Sequence, residues 1–291
     1  MPYLSIRGVN HYYEWISTAE NPPSGRKPVM VFLHGWAGSA RYWETTARAL
    51  VDHFDCLLYD LRGFGRSPLP KPPPPEVAAI GYELETYADD LALLADALGI
   101  QTFSLNAHST GASIATFFLN RHAARVDRAI LTCSGIFEYD KKAFEAFYKF
   151  GKYVVEFRPP WLLKIPLADR MFMSRFLSRP ISGEARRAFL EDYIMADCEA
   201  ALGTIYTAVS KKAVDVMPQE FAQLAMPTLL ISGQYDKIIP VDMGDRASAL
   251  SHHIQHVVMA NTGHFPMLED APTYLNHLRT FLSLPSPSLQ Q

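Results

Sequence analysis

The chain has 291 residues, 27 of them Lys or Arg and 30 Asp or Glu, for a formal net charge of −3, and 48% of it is hydrophobic. That is enough for one large domain with a sizeable core, or one domain carrying an insertion. The charge balance and the lack of a long basic run argue against a nucleic-acid partner. Three widely spaced cysteines, Cys56, Cys133 and Cys198, with no Cys-x-x-Cys, argue against a disulfide framework or structural zinc and for a reducing compartment.

The segment Met1 to Asn10 has no basic start followed by an apolar run, so no signal peptide is expected. No stretch approaches the roughly 18 apolar residues of a membrane span, and a cytoplasmic location is expected. Tyr3 to Ile6 and Tyr12 to Ile16 read as short strands around a Gly8-Val9-Asn10 turn. Pro28 to Leu33 is a continuous apolar run ending at His34-Gly35, which suits a strand buried on both faces of a parallel sheet. Ser39 is placed to cap a helix over about Ala40 to Val51. Cys56 to Tyr59 is the next strand, and Lys71 to Pro75 is a stiff surface loop. Leu91, Leu94, Ala95 and Leu98 give helical spacing to Leu84 through Leu98.

Further buried strands are expected at Arg128 to Cys133, Pro227 to Ser232 and His256 to Met259, with a last amphipathic helix over Tyr274 to Leu282. Apolar strands alternating with helices predict an α/β fold with a mostly parallel open sheet flanked by helices. Residues 137–214 break the rhythm with helical, aromatic- and methionine-rich sequence. They are expected to form an all-helical cap over a core made of 1–136 and 215–291.

Ala107-His108-Ser109-Thr110-Gly111 lies between the apolar run Gln101 to Asn106 and the helix-like run Ala112 to Asn120. A serine at the apex of a strand–turn–helix, with small residues two positions either side, is what a nucleophile elbow requires. The pattern recurs by chance, so its partners decide. A serine hydroxyl needs a general base, and the base needs an orienting acid. In a parallel sheet such groups collect at the carboxyl ends of strands. Asp236 follows the strand ending at Ser232, and His264 follows the strand ending at Met259. The order Ser, Asp, His is therefore met at three strand ends. Asp242 is an alternative acid, but it lies beyond Pro240 and is assigned to the next helix. The backbone amides of Trp36 and Thr110 are the expected oxyanion donors. His34 is read as a structural hydrogen-bonding residue.

The motifs His34-Gly35-Trp36, Asp60 to Ser67, His108-Ser109-Thr110-Gly111, Gly233 to Asp236 and Gly263 to Pro266 resemble those of the α/β-hydrolase fold superfamily, in the branch with a helical cap. The resemblance spans residues 34 to 266. It implies a Ser109–His264–Asp236 triad, an oxyanion hole at Trp36 and Thr110, and a structural role for the Asp60 to Ser67 loop. Alanine replaces the family's usual first glycine at Ala107. Dehalogenases and epoxide hydrolases of this fold carry aspartate at the elbow, so Ser109 argues for neither.

The expected activity is serine hydrolysis of an ester, thioester or lactone through an acyl-enzyme, with no metal or organic cofactor. The substrate is expected to be a small to medium apolar molecule. Trp36, His108, Phe144, Trp161 and Phe265 are the expected substrate contacts. Two alternatives stay open: a carbon–carbon bond hydrolase of vinylogous diketones, and a hydrolase-derived ligand-binding protein or receptor. The sequence leaves the oligomeric state open.

Overall fold

The computed structural model describes residues 3–138 and 141–285. Eight strands form one sheet: β1 (Tyr3–Ile6), β2 (Val9–Ile16), β3 (Val29–Leu33), β4 (Asp55–Tyr59), β5 (Phe103–His108), β6 (Val126–Thr132), β7 (Thr228–Gly233) and β8 (Ile254–Met259). Their spatial order is β1-β2-β4-β3-β5-β6-β7-β8. β1 and β2 run antiparallel to their neighbours, and β3 through β8 are parallel.

The apolar run of β3 is continuous because both faces are covered. Val29, Val31 and Leu33 enter one core cluster and Met30 and Phe32 the other. Alternate side chains of a strand point to opposite faces, so each face receives its own set. β4 divides the same way, with Leu57 and Tyr59 on one side and Cys56 and Leu58 on the other. The chain order reverses at β3, which pairs with β4 on one side and β5 on the other. Such a switch point opens a crevice beyond the carboxyl ends of the strands. The loops after β3 and β5 meet there.

The helix after Ser39 begins differently from the sequence expectation. Ala40–Trp43 is a 3-10 turn and the α-helix runs over Glu44–Leu50, without a side-chain cap from Ser39. The Ser39 hydroxyl instead donates to Asp192 at 2.7 Å. The first-turn amide that needs an acceptor finds one elsewhere: Ala40 N–H donates to Asp60 Oδ1 at 2.7 Å.

Between β6 and β7 the described residues are helical: Lys141–Glu156, Ala168–Met173, Gly183–Met195 and Cys198–Ala208, with a 3-10 turn at Pro160–Lys164. The helix Lys211–Ala222 crosses the boundary expected at 214. Ser210 caps it by accepting from the Ala213 amide at 3.0 Å. This helix packs against Thr110–Arg121 and Val241–Ser248, which ties it to the core. Among the described residues, no helix is long and apolar enough to cross a membrane.

Candidate active site

Ser109 ends β5 and precedes the helix Thr110–Arg121, with φ 55° and ψ −123°. That conformation is costly for a residue bearing a Cβ, and it survives only where the surroundings impose it. Here β6 imposes it: the Ser109 amide donates to Thr132 O at 2.9 Å. Two residues on, a Cβ at Gly111 would stand 2.3 Å from the His34 carbonyl oxygen. Only glycine lets the helix approach the β3 loop so closely. Ala107 is fully buried and paired with Leu33 and Leu131, so its methyl fits where glycine is usual.

Ser109 Oγ lies 3.0 Å from His264 Nε2, and His264 Nδ1 lies 2.7 Å from Asp236 Oδ2. A carboxylate only accepts, so Nδ1–H donates to Asp236 and the Nε2 lone pair faces the serine hydroxyl. The Ile238 and Ile239 amides donate to Asp236 Oδ1 at 2.7 and 3.0 Å. Burial alone would raise this carboxyl, but His264 and the two amides outweigh it and hold Asp236 below its ordinary range. Asp242 lies in the next helix and pairs with Arg246, away from His264.

A second chain of hydrogen bonds fixes the loops that carry these groups. His108 Nε2 is 2.7 Å from the His264 carbonyl oxygen, which can only accept. His108 therefore donates there, and its Nδ1 accepts from the Tyr42 hydroxyl at 2.9 Å. Tyr42 in turn accepts from the Gly35 amide. Every direction is consistent with a neutral His108, and burial holds that imidazole well below its ordinary pKa. His34 works similarly. Its Nε2 accepts from the Leu61 amide and its Nδ1 donates to Gly35 O, a structural role. Buried Glu269 accepts from the Gly263 and Phe265 amides and from Ser178 and Arg179 of the preceding helical segment.

The amides of Trp36 and Thr110 donate no hydrogen bond among the described residues. Thr110 opens a helix, where the first amides lack intrahelical acceptors. The Trp36 indole donates to Ala201 O at 2.9 Å and so ties the β3 loop to the helix Cys198–Ala208.

A cavity of about 460 Å³ opens over Ser109 and His264. Trp36, His108 and Phe265, three of the residues expected to contact substrate, line it. Trp161 does not: it is 51% exposed and meets Phe157 edge-on. Aromatic content alone could not tell a pocket face from an outer face. The side chain of Phe144 lies outside the described residues. Phe189, Ile238 and Ile239 line the cavity and were not singled out in the sequence. Ile238 and Ile239 immediately follow Asp236, so proximity to the acid was the available signal. Phe189 had none, because its place depends on packing against Phe265 at 4.8 Å. Ser134 also lines the cavity, and its buried hydroxyl has no partner among the described residues.

His108, Cys133 and His264 lie close enough together to suggest metal ligands. The four ring nitrogens are already engaged with Tyr42, the His264 carbonyl, Asp236 and Ser109. Burial also keeps the Cys133 thiol protonated. That donor set does not fit a metal ion.

Residues 28–271, which hold all of these groups, match the family model described as alpha/beta hydrolase fold. The chain belongs to the alpha/beta hydrolase fold family. Within that family it is 27% identical, over 83% of its length and 86% of the relative's, to the AB hydrolase superfamily protein YisY of Bacillus subtilis. Among solved structures of the same fold, the enol-lactonase of Burkholderia xenovorans LB400 superposes with a TM-score of 0.77 at 20% identity, covering 97% of this chain and 100% of that one. The meta-cleavage product hydrolase of Pseudomonas fluorescens IP01 superposes with a TM-score of 0.74 at 20% identity, covering 97% of both chains.

Proposed function

We propose that this alpha/beta hydrolase is a serine hydrolase that cleaves an ester, thioester or lactone of a small to medium apolar acyl group. The observation that carries the reading is the continuous hydrogen-bond chain Ser109–His264–Asp236 at the floor of an apolar cavity. Ser109 Oγ attacks the carbonyl carbon while its proton passes to His264 Nε2. Asp236 stabilises the resulting imidazolium through Nδ1–H. The amides of Trp36 and Thr110 receive the oxyanion. Collapse expels the alcohol or thiol, which takes the proton from His264. Water then adds to the acyl-enzyme, its proton going to His264, and the acid leaves as Ser109 regains its hydrogen. No step calls for a metal or an organic cofactor.

The strained backbone at Ser109 supports the reading independently, since an unfavourable conformation at a pocket floor is the mark of a position held for chemistry. The test is labelling with a fluorophosphonate probe, followed by an ester panel of increasing acyl length. Covalent labelling of the parent and none of Ser109→Ala is the expected result. Ser109→Ala should lower kcat on the order of 10⁴-fold or more while the fold stays intact. Turnover of a vinylogous diketone with no ester hydrolysis would overturn the assignment.

A further inference from the structure

The cap carries most of the exposed large apolar side chains among the described residues. Tyr153, Phe157, Trp161, Ile165, Leu167 and Met171 all lie open to solvent, Met171 to 75%. Single exposed apolar residues need no explanation, but seven within residues 153–171, Val154 included, form a patch. They sit at the end of one helix, on the 3-10 turn Pro160–Lys164, and at the start of Ala168–Met173, which packs against that turn. Leu167 adds a second cost. It is 62% exposed and has φ 63°, where asparagine or glycine is cheaper and solvent favours a polar side chain. The patch runs into the cavity mouth: exposed Val154 lines the cavity, and so does Phe172, the neighbour of Met171.

The charge around this patch differs from the rest of the chain. Residues 141–180 hold nine Lys or Arg against three Asp or Glu, a local excess of six positive charges on a chain whose total is −3. Lys164, Arg170 and Arg175 are exposed and have no ion pair among the described residues. Apolar side chains set among free cations are the composition of a face that lies in a lipid interface.

We infer that this face of the cap seats on an anionic lipid surface, with the apolar side chains entering the boundary between headgroups and acyl chains and the cations meeting the phosphates. The cavity mouth then faces the layer. A second copy of the chain fits the patch poorly, because a two-fold contact would set Lys164 and Arg170 against their own symmetry mates. The inference rests on the cap surface and not on acyl transfer, so Ser109→Ala should bind vesicles like the parent.

The test is flotation of the full chain with vesicles of phosphatidylcholine alone and of phosphatidylcholine mixed with phosphatidylglycerol. Binding should favour the anionic vesicles and weaken with salt. The triple variant Phe157→Ser/Leu167→Ser/Met171→Ser should partition on the order of tenfold less. Lys164→Glu/Arg170→Glu changes only exposed charges and should lose roughly tenfold in binding to the anionic vesicles. If the triple variant unfolds, the charge variant carries the test. Failure of the parent to float with anionic vesicles, or undiminished binding by the charge variant, overturns the inference. So does a dimer in light scattering that the triple variant dissociates, which would assign the patch to a second copy.

Discussion

Arg41, in the turn after β3, joins it to the helix Gly183–Met195 by clasping Asp192 side-on, Nη2 at 2.6 Å from one carboxylate oxygen and Nε at 3.0 Å from the other. Asp192 is buried, and burial pushes its carboxyl up to about 6 even though Arg41 and Ser39 pull it down. The pair therefore offsets a cost that this helix incurs by bringing a carboxylate inside. Arg41→Ala should destabilise the protein by about 2–3 kcal/mol at neutral pH, short of the value for a pair buried on both sides because Arg41 stays partly exposed. The loss should shrink in acid, where the unpaired Asp192 can take up a proton. Urea denaturation of parent and variant at neutral and mildly acid pH checks both parts.

Tyr42 connects the Gly35 amide to His108, and His108 connects to the His264 carbonyl. Tyr42→Phe keeps the ring but leaves the buried Gly35 amide without an acceptor, at a cost of about 1–3 kcal/mol. The loop holding the Trp36 amide should loosen with it. The expected kinetic signature is a fall in kcat larger than any rise in KM. A variant with lower stability and unaltered kcat would limit Tyr42 to a packing role.

Acid should destabilise this fold through its buried imidazoles. Burial lowers the pKa of His11, His34 and His108, each of which is buried. Unfolded, they take up protons below about pH 6.5. Stability is therefore fully present above that value and declines as pH falls through it, with a slope of up to about 4 kcal/mol per pH unit while all three stay neutral in the fold. Asp236 adds a further loss below the ordinary carboxylate range, since its folded pKa is depressed. Denaturation midpoints between about pH 4 and 8 check this; a flat profile from 6.5 to 5 would count against the buried neutral imidazoles.

Phe189 and Trp161 should separate in substrate profiling. Phe189 lines the cavity against Phe265, whereas Trp161 faces outward. Phe189→Ala should change kcat/KM for a long acyl chain by roughly 1–3 kcal/mol and affect an acetyl ester much less. Trp161→Ala should leave both rates on soluble esters unaltered. Equal scaling of every ester rate by Phe189→Ala would remove the apolar pocket from substrate choice.

What could be read from the sequence followed how local the governing physics is. The elbow at Ser109 and the strand ends before Asp236 and His264 are signalled within a few residues, so their placement was legible. The side-chain alternation of β3 was equally local. The Asp192 clasp was not legible, because Ser39 looked like a helix cap until a residue 153 positions away claimed its hydroxyl. Trp161 and Phe189 are both aromatic cap residues, and only three-dimensional packing turns one outward and the other inward. The start of the helix Lys211–Ala222 is a local signal too, since Ser210 caps it.

Ser109 and His264 stand 155 residues apart in the chain yet 3.0 Å apart in space. The histidine lies beyond β8, the last strand to be made and the outer one of its edge, with β6 and β7 between it and β5. A chain synthesised from its N-terminus thus exposes the elbow long before the imidazole exists. Until β8 docks, the hydroxyl is an ordinary alcohol. On the proposed mechanism, recovery of catalysis after dilution from denaturant reports closure of that final edge.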